Sequence, residues 1–189
     1  MNPAQVVTDL GNLFVASAGA VVVFLFVCTQ ISRLVGAVFG VCVGGVVLAA
    51  AGLKLISRQF SPPPWLAAPF ELSSGAPSGH AALATVVYGC AVLVFLKAGR
   101  SAAGAVGALL AVSAVAGVSI TRVTLGAHTI PDVIAGLLVG LPAVAVFARA
   151  LQVQAGQRRA PVRPLLIGLV LVLALALASG VRLSSTRFL

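Results

Sequence analysis

Charge is what this sequence has least of. Asp, Glu, Lys and Arg make up 8% of its 189 residues, against roughly a quarter in an average soluble domain. A chain so poor in charge cannot cover a water-facing surface, and 60% of it is apolar. A soluble globular enzyme is excluded, and so are a disordered or a collagen-like chain. Acids are scarcest: Asp9, Glu71 and Asp132 stand against twelve Lys and Arg, for a net charge of +9. In a soluble protein that balance would point to nucleic acid. Here it reads as topology, because cytoplasmic loops of membrane proteins collect Lys and Arg, and no nucleic-acid partner is expected. Cysteine is scarce too. Cys28, Cys42 and Cys90 lie inside apolar runs without ligand spacing, as small buried hydrophobes rather than bridges or metal ligands. The stretch Met1–Asp9 lacks the basic flank of a cleavable signal, so the first apolar run is expected to stay as a helix. No internal repeat or low-complexity segment is evident.

What the sequence does have is long apolar runs, at about Leu10–Cys28, Leu34–Leu53, Ala81–Leu96, Ala102–Ile120, Ile130–Phe147 and Leu165–Val181. Each is roughly 16 to 20 residues, near the lower limit for a helix crossing hydrocarbon. The expected fold is one all-α integral membrane domain over residues 1–189, a bundle of six transmembrane helices. Six crossings put both termini on one side. The opposite side then holds Arg33, Lys97, Arg100, Arg149, Arg158, Arg159 and Arg163, seven of the twelve basic residues. That bias places the termini and the Gln59–Pro77 loop outside the cytoplasm. Gly36, Gly40 and Gly44, and likewise Gly136 and Gly140, recur at spacing four and read as faces for close helix packing in lipid. Ser61–Pro64 ends the second helix, since proline offers no N–H to continue it. Trp65 and Phe70 suit the interface.

Polar residues bordering such spans cost a few kcal/mol or more and mark function. The order of spans puts Lys54, His80, Arg122 and His128 on one membrane face, a coincidence that apolar patterning does not require. Pro77-Ser78-Gly79-His80 reads as a helix start, with Ser78 able to cap and Gly79 allowing close backbone approach. The free N–H groups of such a start bind phosphate, though an ordinary capped helix has the same pattern. Asp132 follows His128 by four residues, which stacks carboxylate and imidazole on one helix face. The carboxylate can accept Nδ1–H and leave Nε2 as a nucleophile; a plain ion pair at a helix end is the blander reading. Pro131 fits a first helical turn, which has no intrahelical N–H bonds to lose. Lys54 and Arg58, taken alone, read as side chains snorkelling to the interface. Arg182 and Arg187 read as tail charges.

Together these residues resemble the type 2 phosphatidic acid phosphatase superfamily, which includes lipid phosphate phosphatases and shares its site with vanadium haloperoxidases. That signature has three parts: Lys, six residues, Arg-Pro; then Pro-Ser-Gly-His; then Ser-Arg, five residues, His, three residues, Asp. The second part is complete here, and the third differs only in Thr121 for Ser. The first part keeps Lys54 and Pro62, but Ser61 stands where the family has Arg. Arg58, one helical turn from Lys54, is the candidate substitute.

The resemblance implies a metal-independent phosphoric ester hydrolase without a cofactor. His128 would attack phosphorus and carry a phosphohistidine, with Asp132 holding its tautomer. His80 would be the general acid, a division of labour that needs His80 charged and His128 neutral. Lys54, Arg122, Ser78, Gly79 and Arg58 would bind the substrate. Vanadate should inhibit. The expected substrate is a lipid mono- or diphosphate, such as phosphatidic acid, phosphatidylglycerol phosphate, a polyprenyl diphosphate or a lipid A phosphate, and no protein partner is expected. The expected location is a bacterial inner membrane with the site on its outer face. The alternatives are a lipid phosphotransferase using the same site and a non-catalytic transporter or scaffold with a decayed one. Haloperoxidases are soluble, and this chain is not.

Overall fold

A computed structural model describes residues 3–59, 75–97, 101–154 and 161–183. Those residues form seven helices and no strand: α1 (Pro3–Asp9), α2 (Leu13–Gln30), α3 (Arg33–Gln59), α4 (Gly79–Lys97), α5 (Ala102–Thr124), α6 (Ile130–Val153) and α7 (Arg163–Leu183). Four stretches are long and apolar enough to cross a membrane: Arg33–Ser57, Gly79–Lys97, Ala102–Thr124 and Ile130–Val153. The chain is a membrane protein. Two more apolar stretches, Phe14–Gln30 and Arg163–Leu175, are shorter, so the described residues give four spans of full length where six are expected.

The helix ends have local causes. Asn12, in extended backbone, accepts the Phe14 N–H at 3.1 Å and starts α2, and Ser101 starts α5 by accepting the Gly104 N–H at 3.0 Å. Each satisfies a donor that the first helical turn leaves open. The expected single helix from Leu10 is corrected. Leu10, Gly11 and Asn12 form a turn whose N–H groups bond to Val7, Thr8 and Asp9 carbonyls, and it separates α1 from α2. Several helices also outrun their apolar runs; α3 continues to Gln59, α5 to Thr124 and α6 to Val153. The hydrogen-bond ladder ignores side-chain polarity and stops only where a cap or breaker intervenes.

Helix α4 lies in the middle, apolar on every face, and packs against α2, α3, α5 and α6. A helix apolar all round belongs inside a bundle. Lipid tails are as apolar as Leu, so the bundle is held by close van der Waals packing rather than by transfer from water. Small residues supply that closeness. A Cβ added at Gly136 would sit 2.5 Å from the Ser78 carbonyl, and one at Gly140 2.6 Å from Thr85 Cβ. Gly136 and Gly140 thus let α6 lie against the start of α4. Gly36 and Gly40 face Cys28 and Phe24 of α2, as their spacing predicts, whereas Gly44 faces no neighbour. The buried Phe39 and Phe147 rings meet edge-to-face at 5.7 Å and join α3 to α6. Cys42 and Cys90 are buried and unbridged, as is the half-buried Cys28. Large apolar side chains such as Val41, Leu48, Leu109, Leu138 and Leu175 point outward, which suits lipid contact.

Candidate active site

The return from α5 to α6 takes five residues. Gly126, at φ 66°, adopts the left-handed conformation that ends many helices. The Arg122 carbonyl accepts the N–H groups of both Ala127 and His128 at 3.1 Å. This fold-back is why a separation of six in sequence brings Arg122 and His128 together. Thr129 then caps α6. Its Oγ1 accepts the Asp132 N–H at 3.4 Å, and Asp132 Oδ2 accepts the Thr129 N–H at 3.1 Å, a reciprocal capping box with proline in the first turn.

Asp132 is fully buried, and the same Oδ2 lies 3.4 Å from His128 Nδ1. The contact is as expected, but its origin is corrected. His128 precedes the cap residue, so the spacing of four works through the capping turn and not along a helix face. With Nδ1–H directed at the carboxylate, the lone pair remains on Nε2. Burial pushes the His128 imidazolium below its ordinary pKa of 6.5, and the positive charges of Arg122 and Lys54 push the same way, while the Asp132 hydrogen bond and charge oppose them. The neutral ring is favoured.

Opposite this turn lies the start of α4. The Ser78 N–H donates to the Asp132 carbonyl at 2.9 Å, so the Pro77–His80 motif and the Arg122–Asp132 motif are joined through their backbones. The expectation that Ser78 caps α4 is corrected. Among the described residues its buried hydroxyl has no hydrogen-bond partner, and neither has Arg122 Nε. Buried polar atoms are rarely left so, and both belong to residues expected to hold phosphate. A Cβ on Gly79 would meet nothing, because Gly79 borders a cleft of about 240 Å³ lined also by Lys54, Pro77, His80, Leu83 and four residues of α3, Val46, Val47, Ala50 and Ala51. His80 lies within electrostatic reach of Arg122, His128 and Lys54.

Lys54, Ser78, Gly79, His80, Arg122, His128 and Asp132 are therefore brought to one end of the bundle. Ser61 and the Arg58 side chain lie outside the described residues, as do Pro62, Trp65, Phe70 and Glu71. Among the described residues no group of three or more His, Cys, Asp or Glu is placed to hold a metal ion.

A family model described as the PAP2 superfamily matches residues 35–157. The chain belongs to the PAP2 superfamily. Members of that superfamily are generally phosphatases, and the chain is thereby assigned phosphatase-type chemistry on a phosphate ester. No curated protein and no solved structure matches it. The PAP2 match contains every candidate site residue and leaves out α1, α2 and α7.

Two neighbours of the PAP2 motifs are absent from the sequence reading. Thr129 carried a signal, the Thr-x-x-Asp capping pattern before an apolar run. Ser57 carried none. Its hydroxyl reaches the carbonyls of Lys54 at 3.0 Å and Ala76 at 2.8 Å, which ties the lysine-bearing turn of α3 to the segment leading into Pro77.

Proposed function

We propose that this PAP2 protein is a membrane lipid phosphate phosphatase that works through a phosphohistidine. The observation that carries the reading is the cleft joining Lys54 and His80 to Val46, Val47, Ala50 and Ala51. From Lys54 back to Val46 is eight residues of helix, about 12 Å along α3. One end of the cleft is cationic and the other aliphatic, the division a phosphate with a hydrocarbon tail requires. Polar chemistry at one wall of a mostly apolar pocket is the usual form of a small-molecule site.

In this reading the bundle has six crossings, with α2 and α7 added to the four spans. The excess of Lys and Arg at the far end supports a site on the outer face, in this reading that of a bacterial inner membrane. Lys54, Arg122, the Ser78 hydroxyl and the Gly79 N–H bind the phosphoryl oxygens, with Arg58 as a second guanidinium. Their positive field grows in value as charge spreads over the equatorial oxygens in the transition state. His128 Nε2 forms a bond to phosphorus while the bond to the lipid oxygen breaks. His80 gives its proton to that oxygen. Water then attacks the phosphohistidine, His80 takes a proton from it, and inorganic phosphate leaves with both rings restored. Asp132 keeps Nδ1–H in place throughout.

The test is phosphate release by the purified protein in detergent micelles. It is assayed against long-chain lipid mono- and diphosphates and a water-soluble aryl phosphate, beside His80→Ala and His128→Ala. The reading expects turnover of the lipid phosphates at lower KM than the soluble ester, loss of turnover in both variants, and inhibition by vanadate. Turnover unchanged in His128→Ala would overturn the mechanism. A lower KM for the soluble ester would overturn the substrate class.

A further inference from the structure

The segment before α2 lies outside the family match, yet it is built into the site. A Cβ added at Gly11 would meet Val118 Cγ1 at 2.6 Å and the Cβ and carbonyl oxygen of His80 at 3.0 Å. Gly11 also borders the cleft that holds Lys54 and His80. Three residues earlier, Arg122 Nη1 donates to Thr8 Oγ1 at 3.4 Å, and Thr8 is 1% exposed. A hydroxyl buried to that degree needs a partner, and the guanidinium gives it one without using Nε, which has no partner among the described residues. The carboxylate of Asp9 attracts the same guanidinium. The rest of the segment is pinned on either side: a Cβ at Gly117 would touch Val7 Cγ1 at 2.8 Å, and the Tyr88 hydroxyl donates to the Leu10 carbonyl at 3.0 Å.

We propose that α1 and its turn are a working part of the phosphate site. Thr8 is a positioning residue that sets the Arg122 guanidinium with one edge held and the other facing the anion, and Gly11 keeps the backbone close enough to seat His80. An Arg side chain has many rotamers, and each hydrogen bond that restricts them leaves less ordering to be done when the anion arrives. The inference rests on the phosphatase reading for the identity of the anion.

The test measures orthovanadate affinity and the KM for a lipid phosphate in detergent-solubilised full-length protein, for Thr8→Val, Thr8→Ser and each change combined with Arg122→Lys. Thr8→Val keeps shape and removes the hydroxyl. It is expected to weaken vanadate binding and raise KM by about three- to tenfold, as loss of one ordinary intramolecular hydrogen bond does, with kcat less affected. Thr8→Ser is expected to restore wild-type values. With Arg122→Lys in place, Thr8→Val should add nothing, because the fork it holds is gone. Wild-type affinity in Thr8→Val would overturn the inference, and so would an equal loss in both backgrounds, which a merely structural role predicts. A wild-type protein that neither binds vanadate nor releases phosphate would instead overturn the phosphatase reading, and this inference with it.

Discussion

At the end of the bundle where α4 and α6 begin, Lys54 and His80 line a cleft, Arg122 and His128 lie within electrostatic reach of His80, and Arg122 Nε has no hydrogen-bond partner among the described residues. At the other end, Lys97 finishes α4 and its Nζ donates to the carbonyls of Leu151 at 3.0 Å and Gln154 at 3.4 Å, where α6 ends. The second arrangement is what helix electrostatics favours, a cation on the unsatisfied carbonyls of a C-terminus. The first runs against it. Two helix N-termini begin near the cations Lys54 and Arg122, a disposition that the carboxylates of Asp132 and Asp9 offset in part and that an anionic substrate would favour. Position relative to the helix dipoles thus distinguishes Lys97, which closes the fold, from the cations that the proposed mechanism gives to the phosphate.

The sharpest way to break this contrast is to delete one group from each end. His128→Ala is expected to lower phosphate release by about four orders of magnitude or more, as removal of a catalytic nucleophile does. Lys97→Met should leave the rate near wild type and lower stability toward chemical denaturant by about 1–3 kcal/mol. Rate assays beside equilibrium unfolding of the two variants would check both, and a large rate loss in Lys97→Met would erase the distinction.

Asp132→Asn comes next. It keeps the volume but makes the group at Oδ2 able to donate, which disturbs both the His128 tautomer and the capping box. The expected loss in kcat is about two to four orders of magnitude, read by single-turnover kinetics. Thr129→Ala removes only the cap. It should cost about 1 kcal/mol of stability and a small part of the rate, so comparison of the two variants separates what Asp132 does for the ring from what it does for the helix.

The smallest effect is on pH. In the proposed mechanism His128 acts as a neutral nucleophile, and burial, aided by the charges of Arg122 and Lys54, lowers its pKa from the ordinary 6.5. Above that lowered pKa the ring is neutral and active; activity falls as pH drops through it. The acid limb of kcat/KM is expected below the usual imidazole range. Arg122→Gln, which removes a cation that holds the pKa down, should move that limb to higher pH. A limb that stays in place would show that Arg122 exerts no such field.

Much of the site was legible because its chemistry sits at fixed spacings in a chain otherwise almost free of charge. Lys54, Ser78, Gly79, His80, Arg122, His128 and Asp132 stand out against their surroundings, and the helices bearing them are long apolar runs. Thr8 and Gly11 did not stand out. Thr8 is more than a hundred residues from Arg122, and a threonine followed by an acid before a turn has no distinctive pattern. Only the cap expected of Ser78 is overturned, because a serine before a helix has two uses and sequence cannot tell which way its hydroxyl turns. The short helix α1 was missed because seven residues with little apolar periodicity are held by tertiary contacts rather than by propensity.

The bond from the Ser78 N–H to the Asp132 carbonyl has a consequence for how such a site tolerates change. It belongs to the main chain, so side-chain replacement at either position leaves it intact; a proline at 78 would delete it. The scaffold that yokes the His80 segment to the His128 segment is thus separable from the side chains that the proposed mechanism has grip and cleave. Mutation is free to retune what this protein turns over while the distance between its two working parts stays the same.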